Sequence, residues 1–295
     1  MSEVVVVGSI NVDLSIPVAH APNRGETMLG GDLTRGPGGK GANQAAGCAR
    51  LGRSVTMIGA VGDDPEGAWM VDLLSAEGID TSYIRTLEAA TGQAVILVEP
   101  DGESTIVVAP GANAALSVGD IHAVRDVISG ARCVLVQQEI DAAVVREVAR
   151  IARGLFVLNP APSRPLAPEV LDRVDVLVPN RFELADLCGR PAAGSLDEIA
   201  AMAGSLEGPS AVVVTLGSNG ALVVENGEHF HVPQRDVVAV DATAAGDTFC
   251  AALVDGLLDG LTTLEAARRA NLSAAYTVER PGALSSMPFR EDLTL

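Results

Sequence analysis

Two strings of small residues carry the groups in this chain best suited to chemistry. The first is Gly36-Pro37-Gly38-Gly39-Lys40-Gly41-Ala42-Asn43-Gln44, with four glycines and the only lysine among 20 basic residues, opening onto a helix read over Ala42 to Arg50. Glycines let the backbone approach a ligand closely, and the N–H groups at a helix start carry about half a positive charge. Such a loop suits a polar, oxygen-rich ligand, although the same residues could make a simple turn. The second string is Asp241-Ala242-Thr243-Ala244-Ala245-Gly246-Asp247-Thr248-Phe249, where a loop of small residues runs into another helix. Small side chains leave backbone N–H groups exposed, the positive end of the helix behind them could stabilise charge spreading over a transferring phosphoryl group, and Asp247 could take a proton. Spacing alone equally allows Asp247 to cap its helix.

The first string formally matches Gly-x-Gly-x-x-Gly, yet a dinucleotide fingerprint must follow the first buried strand. That strand, Val4 to Val7, ends instead in Gly8-Ser9-Ile10-Asn11. Nor is it a Walker A loop, because Gly41 follows Lys40 where Ser or Thr is needed. A third region, Thr215-Leu216-Gly217-Ser218-Asn219-Gly220, could meet a nucleotide with backbone groups or be an ordinary tight turn. Glu139 and Glu183 each follow a strand read as parallel, where open α/β sheets place ligands. Glu183 could hold a divalent metal through water, and either acid could instead be a solvated loop residue.

These groups need a frame to position them. Short apolar runs at Val4 to Val7, Val55 to Val61, Cys133 to Val136, Leu155 to Leu158, Val176 to Val178 and Ala211 to Leu216 read as buried strands. Helical spacing fills the intervals at Pro65 to Ala76, Leu116 to Ser129, Ala142 to Ala152, Asn180 to Leu187 and Leu196 to Leu206, with two more helices at Ala245 to Leu258 and Leu264 to Val278. Alternation of this kind predicts an α/β fold, a mostly parallel central sheet with helices on both faces. Gln93 to Glu99 and Ser104 to Ala109 flank Pro100-Asp101-Gly102-Glu103, a hairpin turn, while Leu14 to Val18 and Glu26 to Thr34 look extended. A hairpin cannot be a βαβ crossover, so these pieces predict a small β-sheet lid; the alternative is an antiparallel edge on the main sheet. The division expected is a core of residues 1–13, 35–91 and 111–295 with a lid of 14–34 and 92–110.

The 295 residues carry 38 acidic and 20 basic side chains, a net charge of −18 at pH 7. That surface repels phosphate backbones and anionic lipid, which argues against nucleic acid and membrane partners. A nucleoside triphosphate must then be gathered by local donors and a divalent cation. No apolar run approaches the roughly 20 residues of a membrane span, and no signal-peptide pattern opens the chain, so a cytoplasmic location is expected. Cys48, Cys133, Cys188 and Cys250 lie too far apart for a zinc spacing and read as reduced, mostly buried residues. His20, His122, His229 and His231 read as structural or surface groups.

Taken together, Gly8-Ser9-Ile10-Asn11-Val12-Asp13, Gly38-Gly39-Lys40-Gly41-Ala42-Asn43-Gln44-Ala45, Asn159-Pro160-Ala161-Pro162, Asn180 with Glu183, and Ala244-Ala245-Gly246-Asp247-Thr248-Phe249 resemble the ribokinase-like family of carbohydrate kinases. The resemblance runs from Gly8 to Pro288. It implies ATP-dependent phosphorylation of D-ribose at O5, or of deoxyribose, another sugar or a nucleoside. By matching, Asn11, Asp13, Gly39, Lys40, Gly41, Asn43 and Glu139 would surround the sugar, and Asp247 would accept the proton of its 5-hydroxyl. The resemblance also makes the N–H groups of Ala244, Ala245, Gly246 and Asp247 the anion hole and places ATP along Thr215 to Gly220 and at Gly246, with Asn180 near the phosphates and Asn271 near the base. Glu183 would organise Mg2+ and its waters. A K+ site would draw on Asp241, Thr243, Thr277, Arg280, Gly282 and Ser286, and the lid would join two subunits into a homodimer. Ala242 stands where the family usually has threonine, and Pro281 where lysine is frequent. From other classes, a non-catalytic sugar sensor and a nicotinamide dehydrogenase are the competing readings.

Overall fold

The computed structural model describes residues 2–100 and 104–293. Its main sheet has nine strands: Val4–Val7 (β1), Val55–Gly62 (β4), Asp80–Leu87 (β5), Cys133–Gln137 (β8), Leu155–Asn159 (β9), Val176–Leu177 (β10), Ala211–Thr215 (β11), Ala221–Glu225 (β12) and Glu228–Val232 (β13). Their order is β13-β12-β11-β10-β9-β8-β1-β4-β5, parallel except where β12 pairs with β11 and β13. The four valines of β1 explain its central place. Val4 and Val6 pack into one hydrophobic layer and Val5 and Val7 into the other, so both faces of the strand are covered.

Helices divide between the two faces. Lys40–Arg50 (α1), Pro65–Ala76 (α2), Ala245–Leu258 (α10) and Thr263–Val278 (α11) cover one. Ala112–Ala115 (α3), Val118–Ala123 (α4), Arg125–Gly130 (α5), Ala142–Ile151 (α6), Pro168–Leu171 (α7), Arg181–Leu187 (α8) and Leu196–Ala203 (α9) cover the other. The chain leaves β1, runs outward through β4 and β5, then returns to β8 on β1's opposite side. That reversal opens a crevice at the carboxyl ends of β1 and β8, where such sheets bind ligands.

A separate sheet stands over this end of the core: Asn11–Pro17 (β2), Thr34–Gly38 (β3), Gly92–Val98 (β6) and Ser104–Ala109 (β7), ordered β3-β2-β6-β7. It is not an edge of the main sheet. Arg35 of β3 stacks 4.3 Å from the ring centroid of Trp69 and lies 3.6 Å from Glu66, both on α2, so a cationic side chain is one of the contacts that seat the lid on the core.

Several local expectations are corrected. Gly36 to Gly38 lie in β3 rather than in a loop, because Gly36 and Gly38 pair with Asp13 and Asn11 across the ladder. Within Glu26 to Thr34 only Thr34 is strand, and α1 starts at Lys40. The helix expected over Leu116 to Ser129 breaks at Val124 (φ −113°), whose N–H turns back to Ile121 in a tighter turn. Strand β5 was missed because its residues form no apolar run; it is an edge strand with half-solvated side chains. Asp101 to Glu103 of the expected hairpin turn lie outside the described residues.

Candidate active site

Among the six described helices of eight residues or more, α2, α6, α9 and α11 are each capped by the side chain of Asp64, Asp141, Ser195 or Thr262. The two without a side-chain cap are α1 and α10, the helices behind the two strings singled out above. At α1 the first N–H groups are taken by Glu139 and Ser9, so it is at α10 that first-turn N–H groups are left for something else.

At α1 the backbone is threaded closely. Gly39 has φ 90°, and a Cβ there would sit 2.7 Å from the Asn11 nitrogen. Glu139, just beyond β8, accepts from the Ser9 hydroxyl and from Lys40 N–H at 3.2 Å, pinning the helix start to the end of β1. Asn11 is buried and accepts from Asn113 at 2.8 Å, while Asn113 also bonds both backbone groups of Ile10. Asp13 lies against Gly38, where a Cβ would come within 2.0 Å of its carboxylate. Burial first, then the charges of Glu139 and Asp247, push the Asp13 carboxyl up to about 6 against the pull of Lys40. Burial draws the Lys40 ammonium down, but Asp247, Glu139 and Glu183 outweigh it and leave its pKa above the usual value. One cation and four acids thus share the crevice.

Asp247 sits in the first turn of α10 and is 7% exposed. Its Oδ2 accepts from Asn43 and its Oδ1 from Gln44, both at 3.0 Å, so it does not cap its own helix. Burial raises its pKa above the usual range, opposed by Lys40 and by the two amide donors, with Glu139 adding to the rise. Ala244 precedes the helix in the left-handed region (φ 60°), a conformation that costs an alanine about 1 kcal/mol. It turns the chain so that Gly246 faces open space, where even an added Cβ would touch nothing within 4 Å.

The other expected site residues are placed differently. Asn180 and Glu183 form a reciprocal capping box on α8, with Glu183 Oε2 accepting from Asn180 N–H at 2.8 Å. That role needs no ligand, yet Glu183 is also half-buried, raised by that burial and within electrostatic reach of Lys40 and Asp247. Thr215 bridges to Asn180, which brings the turn Thr215 to Gly220 beside α8. In that turn Leu216 and Gly220 bond each other, Gly217, Ser218 and Asn219 are exposed, and Asn219 also receives His231. Asn271 is buried and donates to Val232 at 2.9 Å, a bond that ties α11 to β13. Asp241 accepts from Thr243 N–H and Gly282 N–H, both at 2.8 Å, joining the loop before α10 to the segment after α11, which together with the end of α11 carry the six expected K+ ligands. Thr277 bonds Thr248 of α10 at 3.0 Å, and Ser286 bonds Ala283 at 2.7 Å. Arg280 turns its guanidinium onto the Tyr276 carbonyl and ring.

Sequence reasoning gave no role to Ser9, Gln44, Asn113, Gln137 or Asn159, all buried. The available signal was polar side chains embedded in apolar or alanine-rich runs, since buried polar groups must find partners. The four cysteines are unpaired, as expected, and three are buried. Among the described residues no helix is long and apolar enough to cross a membrane.

The architecture is that of ribokinase-like proteins. The structure of Arabidopsis thaliana ribokinase complexed with ribose and ATP superposes with a TM-score of 0.87 at 32% identity, covering 98% of this chain and 96% of that one. The description "pfkB family carbohydrate kinase" matches residues 1–290, and the chain belongs to that family. It is 38% identical over 294 residues to a ribokinase of Haemophilus influenzae, covering 97% of this chain and 95% of that protein. It is also 34% identical over 304 residues to a deoxyribokinase of Salmonella typhi, covering 99% of each.

Proposed function

We propose that this carbohydrate kinase is an ATP-dependent ribokinase that converts D-ribose to D-ribose 5-phosphate. The observation that carries the reading is Asp247, held in the crevice by two neutral donors at the mouth of an uncapped helix. Asp247 takes the proton of the sugar's 5-hydroxyl as O5 bonds to the γ-phosphorus and the bond to the ADP oxygen breaks. The N–H groups of Ala244 to Asp247 receive the charge on the transferring group. Asn11, Asp13, Gly39, Lys40, Gly41, Asn43 and Glu139 hold the sugar. Thr215 to Gly220, Asn180, Gly246 and Asn271 hold ATP.

The donors suit the ions this chemistry uses. Glu183 commits only Oε2 to its cap, which leaves Oε1 for a magnesium-bound water. The Asp241 tie holds Thr243 and Gly282 near one another for a potassium ion together with Asp241, Thr277, Arg280 and Ser286. When bound, magnesium would offset phosphate charge and potassium would fix the shape of the anion-hole loop.

Two measurements test this reading. In a panel of sugars and nucleosides with ATP, Mg2+ and K+, ribose should exceed 2-deoxyribose in kcat/KM by about 10- to 100-fold, the worth of a lost hydroxyl bonded to a charged acceptor. The similarity to a deoxyribokinase favours the competing substrate, so the reverse order, or a nucleoside outrunning ribose, would overturn the assignment. Ribose binding without ADP release would make the protein a sensor. In the same assay the KM for ribose should rise about tenfold per pH unit below about 6, because a protonated Asp13 no longer offers two acceptor oxygens to a diol. A KM flat across that range removes Asp13 from the sugar site.

The lid supports a homodimer. In register, Asp13, Ala94 and Val108 lie side by side, as do Ser15, Ile96 and Ile106, so the face that carries Asp13 continues into Ile106 (55% exposed) and Val108 (43%). Apolar side chains this exposed on one sheet mark a contact surface. Sedimentation should give the mass of two chains, falling toward one in Ile106→Asp; a wild-type protein that sediments as a monomer refutes the pairing.

A further inference from the structure

The Asp247 carboxylate hangs on a chain of neutral amides that reaches deep beneath the crevice. Gln44 is fully buried on α1; its Nε2 donates to Asp247 Oδ1 at 3.0 Å and to Asn159 Oδ1 at 3.2 Å. Its Oε1 is taken by Gln137 Nε2 at 2.5 Å, and Asn159 in turn donates to the Val178 carbonyl at 2.8 Å. The far side of Gln44 is therefore anchored to the ends of β8 and β9, strands of the rigid sheet. Space for this array exists only because residue 8 is glycine: a Cβ there would lie 1.9 Å from Gln137 Oε1.

We infer that Gln44 is a positioning residue for the reaction: its anchored amide fixes the rotamer of Asp247 and keeps that carboxylate ionised at neutral pH, without touching the sugar. This rests on the reading of Asp247 as the base. The physical reason is local. Asp247 is desolvated and faces the acids Glu139, Asp13 and Glu183 from the neighbouring elements and the thiol of Cys250 from its own helix, with Lys40 opposing them in charge. In such surroundings a carboxyl tends to hold its proton, and a proton-bearing acid cannot act as a base. Neutral donors bond the charged form more strongly than the protonated one, so they tip the balance without adding a charge of their own. Because both Gln44 polar atoms are tied, its N–H cannot swing away when substrate arrives.

The test is a titration that does not depend on catalysis. In protein carrying 13C-carboxyl aspartate, the resonance absent from Asp247→Asn reports Asp247. In Gln44→Met, which keeps length but has no donor, its midpoint should move up by about one to two pH units. Gln44→Glu keeps an acceptor for Gln137 and serves if the methionine variant does not fold; it should move the midpoint up further, because two carboxyls then share one proton. The acid limb of kcat should follow the same shift while the plateau KM for ribose stays within about twofold, since a hydrogen bond that the sugar does not make leaves its binding unchanged. Midpoints unchanged in both variants, a loss of kcat independent of pH, or a raised ribose KM would each overturn the role given to Gln44. If Asp247→Asn turns over like wild type, the base assignment fails instead, and the resonance still decides whether Gln44 controls the ionisation of Asp247.

Discussion

Replacing Asp247 by asparagine should lower the rate of ribose-dependent ADP release by about 100- to 10,000-fold, the usual contribution of a general base. The substitution is nearly isosteric and the fold should survive it. Asparagine offers one oxygen where the aspartate offers two, so one of the Asn43 and Gln44 donors would face an NH2 group. The amide has no useful basicity, and the 5-hydroxyl proton would have nowhere to go. Ribose binding should change far less than turnover, because on the proposed reading the sugar is held mainly from α1 and β2. A steady-state coupled assay decides it: equal kcat in the two proteins would remove Asp247 from the reaction.

The second large effect concerns stability, not chemistry. Asp255 lies two turns further along α10, is 1% exposed, and accepts from Arg53 at 2.6 Å, Arg269 at 2.9 Å and Arg290 at 2.5 Å. Arg53 also reaches the Asp255 carbonyl at 2.9 Å, and Arg269 reaches Asp259 at 2.6 Å. This cluster ties the α1–β4 connection, α10, α11 and the C-terminal segment together. Asp255→Ala would leave three guanidinium groups around a missing carboxylate, and the expected loss is about 3–5 kcal/mol by urea unfolding, the cost of breaking a buried ion pair from one side. A loss under about 1 kcal/mol would show that solvent or Asp259 takes over the charge. On the proposed reading the far end of the same helix supplies the anion-hole amides, so the cluster would also fix the direction in which they point.

Much of the α/β frame could be read from β-branched runs such as Val4 to Val7, because a strand covered on both faces cannot afford polar residues. The exposed edge strand Asp80–Leu87 could not, since half-solvated side chains tolerate any polarity and leave no pattern. The boundary between lid and core was also blurred. Asn11 to Asp13 follow the first strand directly, and only the ladder with Thr34–Gly38 shows that they already belong to the second sheet. At the site, Lys40 stood out as the sole lysine and Asp247 by its place at the mouth of a helix. Gln44 carried no such mark, because its significance comes from meeting Gln137, Asn159 and Asp247, residues 93, 115 and 203 positions away. Asn180 and Glu183 show the converse: a conspicuous pair whose visible bonds are a helix cap.

The stacking of Arg35 on Trp69 has one more consequence. The chain has a single tryptophan, and it sits at the seam where the smaller sheet leans on α2. The indole emission of this protein therefore comes from one spot, beneath a guanidinium carried by the lid, so the native sequence already contains an optical gauge of how that sheet is seated.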